Sequence, residues 1–339
     1  MLNIDDADIT IPDIFNSHGK FHRHKEAVVC GSARRTWGSF NENMNRVANA
    51  LLGVGIKRGD RVAVMMGNSV EMLEVMFGAV KAGACVVPLS GLLTGPQLAS
   101  LLNDSGARWA FATPDFIERL TPCDSQLEHL PRDSRCVVHG SAAGWQAYED
   151  FVAHASADTP PVVCRNEDAF NIIYSSGTTG LPKGIVQSHR ARVHWAVSNA
   201  IEMGFSDRSR ALTTTSLYSN GTWLMMLPAL FSGGTCVVMP SFEPQAFLRA
   251  VAAERITHSF MVPAQYIAVL QEDERAHDLS SLIVLLCAGS PLRRDTKRKV
   301  IERFGDKLIE LYGFSEGFAT MLKPGAPQDK FETVGTPVL

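Results

Sequence analysis

Short apolar runs alternate along the chain with longer stretches in which apolar residues recur every three or four positions. The runs are typical of buried strands, and the stretches are typical of amphipathic helices. Their alternation predicts parallel βαβ units, and therefore an α/β fold with two parallel-rich β-sheets. The predicted strands are Arg61–Met66, Ala84–Pro88, Trp109–Thr113, Cys136–His139, Phe170–Tyr174, Arg210–Thr215, Thr235–Met239, His258–Val262, Leu282–Cys287 and Leu308–Leu311. The predicted helices include Phe40–Val54, Ser69–Lys81, Thr94–Asp104, His189–Met203, Trp223–Phe231, Pro244–Glu254 and Arg294–Arg303.

Composition narrows the class of protein. The 339 residues are 45% hydrophobic and 20% charged, and the formal net charge is −3. These values are typical of a globular protein without a basic surface for nucleic acid. The basic cluster Arg293–Lys299 has helical spacing, so we interpret it as a solvated helix face.

The sequence also predicts a cytoplasmic protein without a transmembrane segment. The seven cysteines are scattered without a Cys-x-x-Cys pair, which is typical of a reducing compartment. The first eight residues are acidic and do not resemble a signal peptide. The longest apolar stretch, Trp223–Phe231, is interrupted by Pro228 and is shorter than the roughly 20 residues that span a bilayer.

One loop carries the clearest chemistry. The predicted strand Phe170–Tyr174 leads into a run of hydroxyls and glycines that closes on a lysine. Glycines let several backbone N–H groups point inward together, and such a nest binds anions. Hydroxyl donors and the lysine charge suit a polyphosphate. The candidate phosphate-binding residues are Ser175, Ser176, Gly177, Thr178, Thr179, Gly180 and Lys183.

This loop differs from a Walker A loop. Pro182 precedes Lys183 and Gly184 follows it, whereas a Walker A lysine has Gly before it and Ser or Thr after it. The hydroxyl that Walker A supplies to Mg²⁺ is therefore missing, and a metal ligand must come from elsewhere. A flexible connector is the alternative, but a connector needs neither the Pro-Lys-Gly close nor the buried strand before it.

Two further loops follow predicted strands, and ligands of open α/β sheets collect at such carboxyl ends. Ala288–Leu292 follows the strand Leu282–Cys287, and Tyr312–Glu316 follows Leu308–Leu311. Glu316 offers a hard oxygen ligand suited to Mg²⁺. Ser315 can donate a hydrogen bond to a phosphate, and Tyr312 offers an aromatic face.

A rival interpretation is a serine hydrolase. Gly313–Gly317 fits the Gly-x-Ser-x-Gly nucleophile elbow, with Ser315 as the nucleophile. The elbow requires a long helix after the serine and a catalytic histidine downstream. Here the prolines of Lys323–Pro327 follow soon after, and the last histidine, His277, lies upstream. These features weigh against a hydrolase.

The run Tyr174–Gly184 closely resembles the signature loop of the adenylate-forming superfamily, which includes acyl-CoA synthetases, aryl-CoA ligases, luciferases and peptide-synthetase adenylation domains. Tyr312–Glu316 is similar to the family motif Tyr-Gly-x-Thr-Glu, with Ser315 in place of Thr, and Lys81–Pro88 is similar to an early structural motif. The resemblance implies the family's large N-terminal domain, with helices and two sheets layered αβαβα.

The resemblance also implies roles for individual residues. The signature loop would wrap the β- and γ-phosphates of ATP, with Lys183, Ser315 and Glu316 as the catalytic set. Ser315 would meet the α-phosphate and Glu316 would hold Mg²⁺. The residues implied on the adenine and AMP side are Gly289, Ser290, Pro291, Tyr312, Gly313 and Ser315. The implied reaction activates a carboxylic acid with ATP to an acyl-adenylate, followed by transfer to CoA.

A substrate pocket is expected beside the α-phosphate, although ordinary core packing is the alternative for each candidate. No carboxylate occurs from Leu217 to Leu227, where amino-acid-activating relatives place an Asp for the substrate ammonium. This favours an uncharged acyl or aryl acid. The candidates are Tyr218, Asn220, Gly221, Trp223, Met226, Met261, Gly289 and Phe314.

The expected organisation is a first α/β subdomain over residues 1–165, the phosphate-loop segment over 166–190, a second subdomain over 191–322 and the start of a following one over 323–339. The family's small C-terminal domain and its lysine have no counterpart in these residues. We therefore expect the N-terminal part of a ligase, with weak ATP or acyl-adenylate binding and little turnover. A non-catalytic nucleotide-binding module is the alternative, and the sequence leaves the oligomeric state open, a homodimer included.

Overall fold

The computed structural model describes residues 9–175, 182–273 and 276–339. The chain divides into two compact units. The first contains the described residues up to Lys25 together with Arg35–His194. The second contains Glu26–Arg34 and Trp195–Leu339. The phosphate-loop segment therefore belongs to the first unit, and Glu26–Arg34, expected in the first subdomain, belongs to the second.

The predicted strands are confirmed, with ends that shift by one to three residues, but the structure adds strands that the sequence pattern did not indicate. The additions are the first two strands, the seventh, the ninth and the last two. In chain order the strands are β1 (Glu26–Cys30), β2 (Ala33–Thr36), β3 (Arg61–Met65), β4 (Cys85–Pro88), β5 (Ala107–Ala112), β6 (Arg135–Val137), β7 (Gln146–Ala147), β8 (Ala169–Ser175), β9 (Lys183–Ser188), β10 (Arg210–Thr213), β11 (Thr235–Val238), β12 (His258–Met261), β13 (Val284–Cys287), β14 (Leu308–Phe314), β15 (Phe318–Leu322) and β16 (Thr336–Pro337).

The helices lie between these strands, as the alternating pattern predicts. Several begin with a side-chain cap; for example, Ser69 accepts a hydrogen bond from the Met72 N–H at the start of the third helix. In chain order they are α1 (Ile11–Phe21), α2 (Trp37–Gly53), α3 (Val70–Lys81), α4 (Gly95–Ser105), α5 (Pro114–Leu120), α6 (Tyr148–Val152), α7 (His189–Met203), α8 (Asn220–Phe231), α9 (Pro244–Ala253), α10 (Pro263–Val269) and α11 (Arg294–Phe304). None of the helices in the described ranges combines the length and apolar character needed to cross a membrane.

The sheet of the first unit runs in the order β7-β6-β5-β3-β4-β8-β9 across the described residues. Its strands pair in parallel except β8 and β9, which are antiparallel. The helices α2 and α3 pack closely because α3 has Gly78 at the contact. A Cβ at this position would lie 2.6 Å from Val47 Cβ, so a larger residue would force the helices apart.

The sheet of the second unit runs in the order β16-β15-β14-β13-β12-β10-β11-β1-β2. Neighbouring strands pair in parallel from β14 through β13, β12, β10 and β11 to β1, and β15 and β16 are antiparallel additions. Successive residues of β13 face two different cores: Leu285 and Cys287 pack in one cluster, and Val284 and Leu286 in the other. This confirms a strand buried on both faces.

Two segments join the second sheet against the expected organisation. β1 pairs in parallel with β11, because the apolar run Ala27–Val29 is buried there. Residues 323–339, expected to begin a following subdomain, return to the sheet through β16. Gly335 allows this return, since a Cβ there would lie 2.0 Å from the Met321 carbonyl oxygen.

The first unit also buries a lysine among three helices. Lys81, the last residue of α3, donates to the Oδ1 atoms of Asn16 on α1 and Asn41 on α2, both at 2.6 Å. Burial lowers the pKa of Lys81 to about 7, and the nearby Asp13 opposes that shift. The folded protein therefore binds this proton less tightly than the unfolded chain does.

Replacing Lys81 should change how stability depends on pH. Between pH 7 and about 10 the unfolded chain keeps the proton that the folded protein has lost, so this group makes the free energy of unfolding rise with pH, by up to about 1.4 kcal/mol per unit. We expect Lys81→Met to remove that rise in urea unfolding at pH 7, 8 and 9. The exposed Lys57→Met is the control, and an identical pH slope in wild type and Lys81→Met would contradict the prediction.

Candidate active site

The phosphate loop is predicted between β8 and β9, which form an antiparallel hairpin. Ser175 and Lys183 are direct cross-strand partners at its open end. Partners of this kind present their side chains on the same face of a hairpin, so the hydroxyl and the exposed ammonium belong to one surface. Lys183 begins a strand, whereas the sequence pattern indicated the end of a loop. The other predicted phosphate ligands, Ser176, Gly177, Thr178, Thr179 and Gly180, lie outside the described residues.

Polar contacts with neighbouring helices hold this hairpin. The Tyr174 hydroxyl donates to Asp104 Oδ2 at 2.5 Å, at the end of α4. Burial, and then the hydrogen bond to this carboxylate, raises the pKa of Tyr174, so the phenol remains a donor. Gly184 lies against the Tyr174 ring, where a Cβ would approach ring carbons to 3.2 Å.

A second polar contact of the hairpin was not predicted from the sequence. Arg192 of α7 is completely buried and its Nε donates to Asn171 Oδ1 of β8 at 2.7 Å. The Asn171 amide in turn donates to Gln187 Oε1 of β9 at 3.0 Å. The only signal in the sequence is the position of Asn171 inside an otherwise apolar strand. These contacts join both strands of the hairpin to the helix that follows it.

The Tyr312–Glu316 motif also lies on a hairpin. We predicted a loop directly after Leu311, but β14 continues to Phe314 and pairs with the antiparallel β15. Ser315, Glu316 and Gly317 form the turn, which closes through a hydrogen bond from the Gly317 N–H to the Phe314 carbonyl at 3.2 Å. Gly317 has φ +120°, which explains the glycine. Glu316 is exposed at the tip.

This geometry excludes the nucleophile elbow. An elbow places its serine between a strand and a helix, and the helix N-terminus helps to activate the site. Ser315 instead lies between two antiparallel strands, and β15 follows it directly. The alternative of a serine hydrolase is therefore wrong for this motif.

Three aromatic rings cluster on the same hairpin. Tyr312 is 53% exposed, Phe314 is 54% exposed and Phe318 is 44% exposed. The rings of Phe314 and Phe318 are stacked with centroids 5.4 Å apart, and Tyr312 meets Phe318 edge-on at 6.5 Å. Phe318 was not among the predicted residues, because its partnership with Phe314 exists only once the hairpin forms. The cluster presents aromatic faces to solvent beside Ser315 and Glu316.

The predicted adenine-side loop lies at the same edge of the same sheet. Residues 288–292 follow β13, and β13 pairs in parallel with β14. Gly289 has φ +96° and is exposed, as are Ser290 and Pro291. The structure therefore brings two of the three predicted loops to neighbouring strand ends in the second unit, while the phosphate loop belongs to the first unit.

The predicted pocket residues differ in how far they are buried. Tyr218, Asn220 and Gly221 are half-buried around the start of α8, and Gly289 and Phe314 are exposed. Trp223, Met226 and Met261 are fully buried. The Trp223 Nε1 donates to the Leu217 carbonyl at 2.9 Å, and Met261 belongs to one of the cores of the second unit. These contacts give the buried residues a packing role, and the pocket remains a prediction.

Two cavities lie away from these residues. A cavity of about 20 Å³, with room for about one water, is lined by Lys297, Ile301, Asp306, Leu308, Glu310, Leu322, Lys323, Ala326 and Phe331. A cleft of about 200 Å³ is lined by Ile117, Leu120, Thr121, Asp124, Arg132, Arg135, Ala143, Gly144 and Trp145. Neither set includes a predicted site residue. Across the described ranges, no three His, Cys, Asp or Glu side chains gather into a group that could hold a metal ion.

The fold is that of an α/β protein with open, mostly parallel sheets, a class in which ligands bind at the carboxyl ends of the strands. The family model for the AMP-binding enzyme matches residues 15–339. The chain therefore belongs to the AMP-binding enzyme family, as the signature loop and the Tyr312–Glu316 motif predicted.

Individual relatives agree with this assignment. The feruloyl-CoA synthase of Amycolatopsis sp is 32% identical over 296 residues, which are 86% of this chain and 57% of that protein. The anthranilate CoA ligase AuaEII, solved with anthranoyl-AMP, superimposes with a TM-score of 0.91 at 25% identity, covering 99% of this chain and 66% of the other. The inhibitor-bound N-terminal domain of FACL13 from Mycobacterium tuberculosis gives a TM-score of 0.87 at 26% identity, covering 97% and 82%. The chain thus spans little more than half the length of the feruloyl-CoA synthase.

The hairpin β14–β15 should tolerate no side chain at Gly313. A Cβ there would lie 2.4 Å from the Phe318 carbonyl oxygen and 3.2 Å from Ala319 Cα, both backbone atoms. We expect Gly313→Ala to lower the free energy of unfolding by about 1–3 kcal/mol, as overpacking does. Urea unfolding measures this, with Gly53→Ala, which meets open space, as the control. Equal stability of Gly313→Ala and wild type would contradict the prediction.

Proposed function

We propose that this chain is the nucleotide- and acid-binding part of an AMP-forming carboxylate–CoA ligase. The observation that carries the proposal is the match of the AMP-binding enzyme family to residues 15–339, with both motif hairpins formed. The carboxylate oxygen of the acid attacks the α-phosphorus of ATP, and pyrophosphate leaves. The thiol of CoA then attacks the acyl carbonyl, and AMP leaves.

In this proposal, different residues bind different parts of the nucleotide. Lys183 and Ser175, on one face of the β8–β9 hairpin, bind the β- and γ-phosphates together with the loop that they close. Tyr312 lies along the adenine, and Gly289, Ser290 and Pro291 border it. Ser315 donates to the α-phosphate. Lys183 offsets negative charge on the pyrophosphate as it leaves, which is the kind of electrostatic assistance that catalyses phosphoryl chemistry.

A magnesium ion fits the donors present. Glu316 is an exposed carboxylate at the tip of its turn, and Mg²⁺ is usually held by one or two carboxylates with substrate phosphates and water. The absence of a three-ligand cluster in the described residues agrees with such a site, because ATP would supply the remaining oxygens. Bound Mg²⁺ would neutralise phosphate charge, and Glu316 would hold it.

An aromatic or other uncharged acid is the proposed substrate class. Residues 217–227 hold no carboxylate to pair with an ammonium group. The similar proteins described above are named for feruloyl and anthranilate substrates. The exposed rings of Tyr312, Phe314 and Phe318 give this part of the second unit an aromatic surface. The cytoplasm is the proposed compartment.

Removing the loop lysine tests the phosphate site. We expect Lys183→Ala to weaken ATP binding about 10- to 100-fold, because a hydrogen bond to a charged group contributes about 1.5–3 kcal/mol. Isothermal titration calorimetry of the chain with ATP and Mg²⁺ measures the loss. Lys57→Ala replaces an exposed lysine of the same unit and should bind ATP like wild type. ATP binding unaffected by Lys183→Ala would refute the phosphate role of this loop.

Acyl-adenylate analogues test the substrate class. An aroyl sulfamoyl-adenosine should bind at least about tenfold more tightly than an aminoacyl sulfamoyl-adenosine, because no carboxylate between Leu217 and Leu227 can pair with the ammonium. The opposite order in calorimetry would reverse the substrate assignment. Carboxylate-dependent exchange of pyrophosphate into ATP separates a ligase from a module that only binds the nucleotide.

A further inference from the structure

A buried ion pair lies behind the predicted adenine site. Lys297 of α11 has a side chain only 4% exposed, and Glu310 of β14 has one 12% exposed; the two form an ion pair. Removing two charges from water is costly, so such a pair needs further hydrogen bonds to be stable. The partners of those hydrogen bonds show which segments of the chain the ion pair connects.

Both remaining contacts are to backbone. Glu310 Oε1 accepts a hydrogen bond from the Leu292 N–H at 2.7 Å. Lys297 Nζ donates to the Phe331 carbonyl. Leu292 ends the loop that contains Gly289, Ser290 and Pro291, so the carboxylate is attached directly to the candidate adenine-side loop.

The same carboxylate is in register with the motif strand. Side chains two residues apart on a strand share a face, so Glu310, Tyr312 and Phe314 point to one side of β14. Cys287 and Glu310 are cross-strand neighbours where β13 ends and the loop begins. Burial, and then the charge of Glu310, raises the pKa of Cys287 to about 12, which reflects this proximity. One side chain therefore connects the loop to the strand that carries Tyr312.

We propose that Glu310 is a positioning residue for nucleotide recognition, with Lys297 as its obligatory counter-charge. Glu310 fixes the position of the loop 288–292 relative to the Tyr312 ring, so that the loop and the ring border the adenine together. This inference rests on the proposed function, since it concerns the same nucleotide site. Glu310 touches no reacting atom; it acts through the Leu292 N–H.

A role in stability alone makes a different prediction. A buried pair that only stabilises the fold would change the unfolding temperature without changing which base is bound. A pair that positions the loop would change the affinity for AMP and the preference for AMP over GMP, because the two bases differ at the edge that the loop borders. Base preference therefore separates the two roles.

The experiment measures Kd for AMP and for GMP by calorimetry, well below the unfolding temperature of each variant. Glu310→Leu removes the acceptor for the Leu292 N–H. Lys297→Met with Glu310→Leu also leaves no buried charge, which keeps the test available if the single variant does not fold. Glu254→Leu is the matched control: Glu254 is 16% exposed, pairs with Arg34 and Arg210, and belongs to the same unit.

We expect Glu310→Leu and the double variant to weaken AMP binding about tenfold or more, and to bring the ratio of the two Kd values towards one. Glu254→Leu should stay within about twofold of wild type in both quantities, even if its unfolding temperature falls as much as that of the Glu310 variants. Wild-type affinity and base preference in either folded Glu310 variant would overturn the inference while leaving the proposed function intact. A wild-type chain that binds neither nucleotide would overturn the proposed function and this inference with it.

Discussion

The arrangement of the second unit depends on strands that are buried on both faces. In β13, alternate residues pack into two different cores, so the strand cannot shift by one residue without exchanging its two sets of side chains. Parallel pairing with β12 and β14 then brings the ends of neighbouring strands to one edge. The loop 288–292 and the β14–β15 hairpin are adjacent because of this pairing, although many residues separate them along the chain.

Polar groups behind the loops complete what the hydrophobic strands begin. Packing sets the strands in register, but it does not fix the position of an exposed loop. In the first unit, Tyr174 is attached to Asp104, and Arg192 to Asn171. In the second unit, Glu310 is attached to the Leu292 N–H. The Arg192–Asn171 contact is buried and the Leu292–Glu310 contact is partly buried, and in such surroundings the loss of a hydrogen bond is costly; the Tyr174–Asp104 contact is exposed.

Both recognised motifs lie on antiparallel hairpins at the margins of parallel sheets. β8 and β9 flank the predicted phosphate loop, and β14 and β15 flank Ser315 and Glu316. A two-stranded hairpin brings residues from both of its strands to one tip, which a parallel strand end cannot do alone. Lys183 opposite Ser175, and Phe318 against Phe314, are partners of this kind.

Much of the fold followed from local patterns. The parallel strands and the helices between them have strong periodicity, because each must bury a continuous apolar face. The second strands of the two hairpins could not be predicted from local patterns. Strand β9 has the sequence Lys-Gly-Ile-Val-Gln-Ser and β15 has Phe-Ala-Thr-Met-Leu, and neither has a long apolar run or strict alternation. Their pairing is decided by the strand opposite. β1 was missed for the same reason: its partner, β11, lies about two hundred residues away in the chain.

The sequence by itself determined the family and predicted its chemistry, because the identity and order of Ser175–Lys183 and of Tyr312–Glu316 are local properties that need no partner to be recognised. The tertiary structure alone decided which residues support that chemistry. Glu310, Lys297, Asn171, Arg192 and Phe318 are ordinary residues in the sequence. They acquire roles only when folding brings each of them to a specific partner, and that partner is set by sheet register and helix packing.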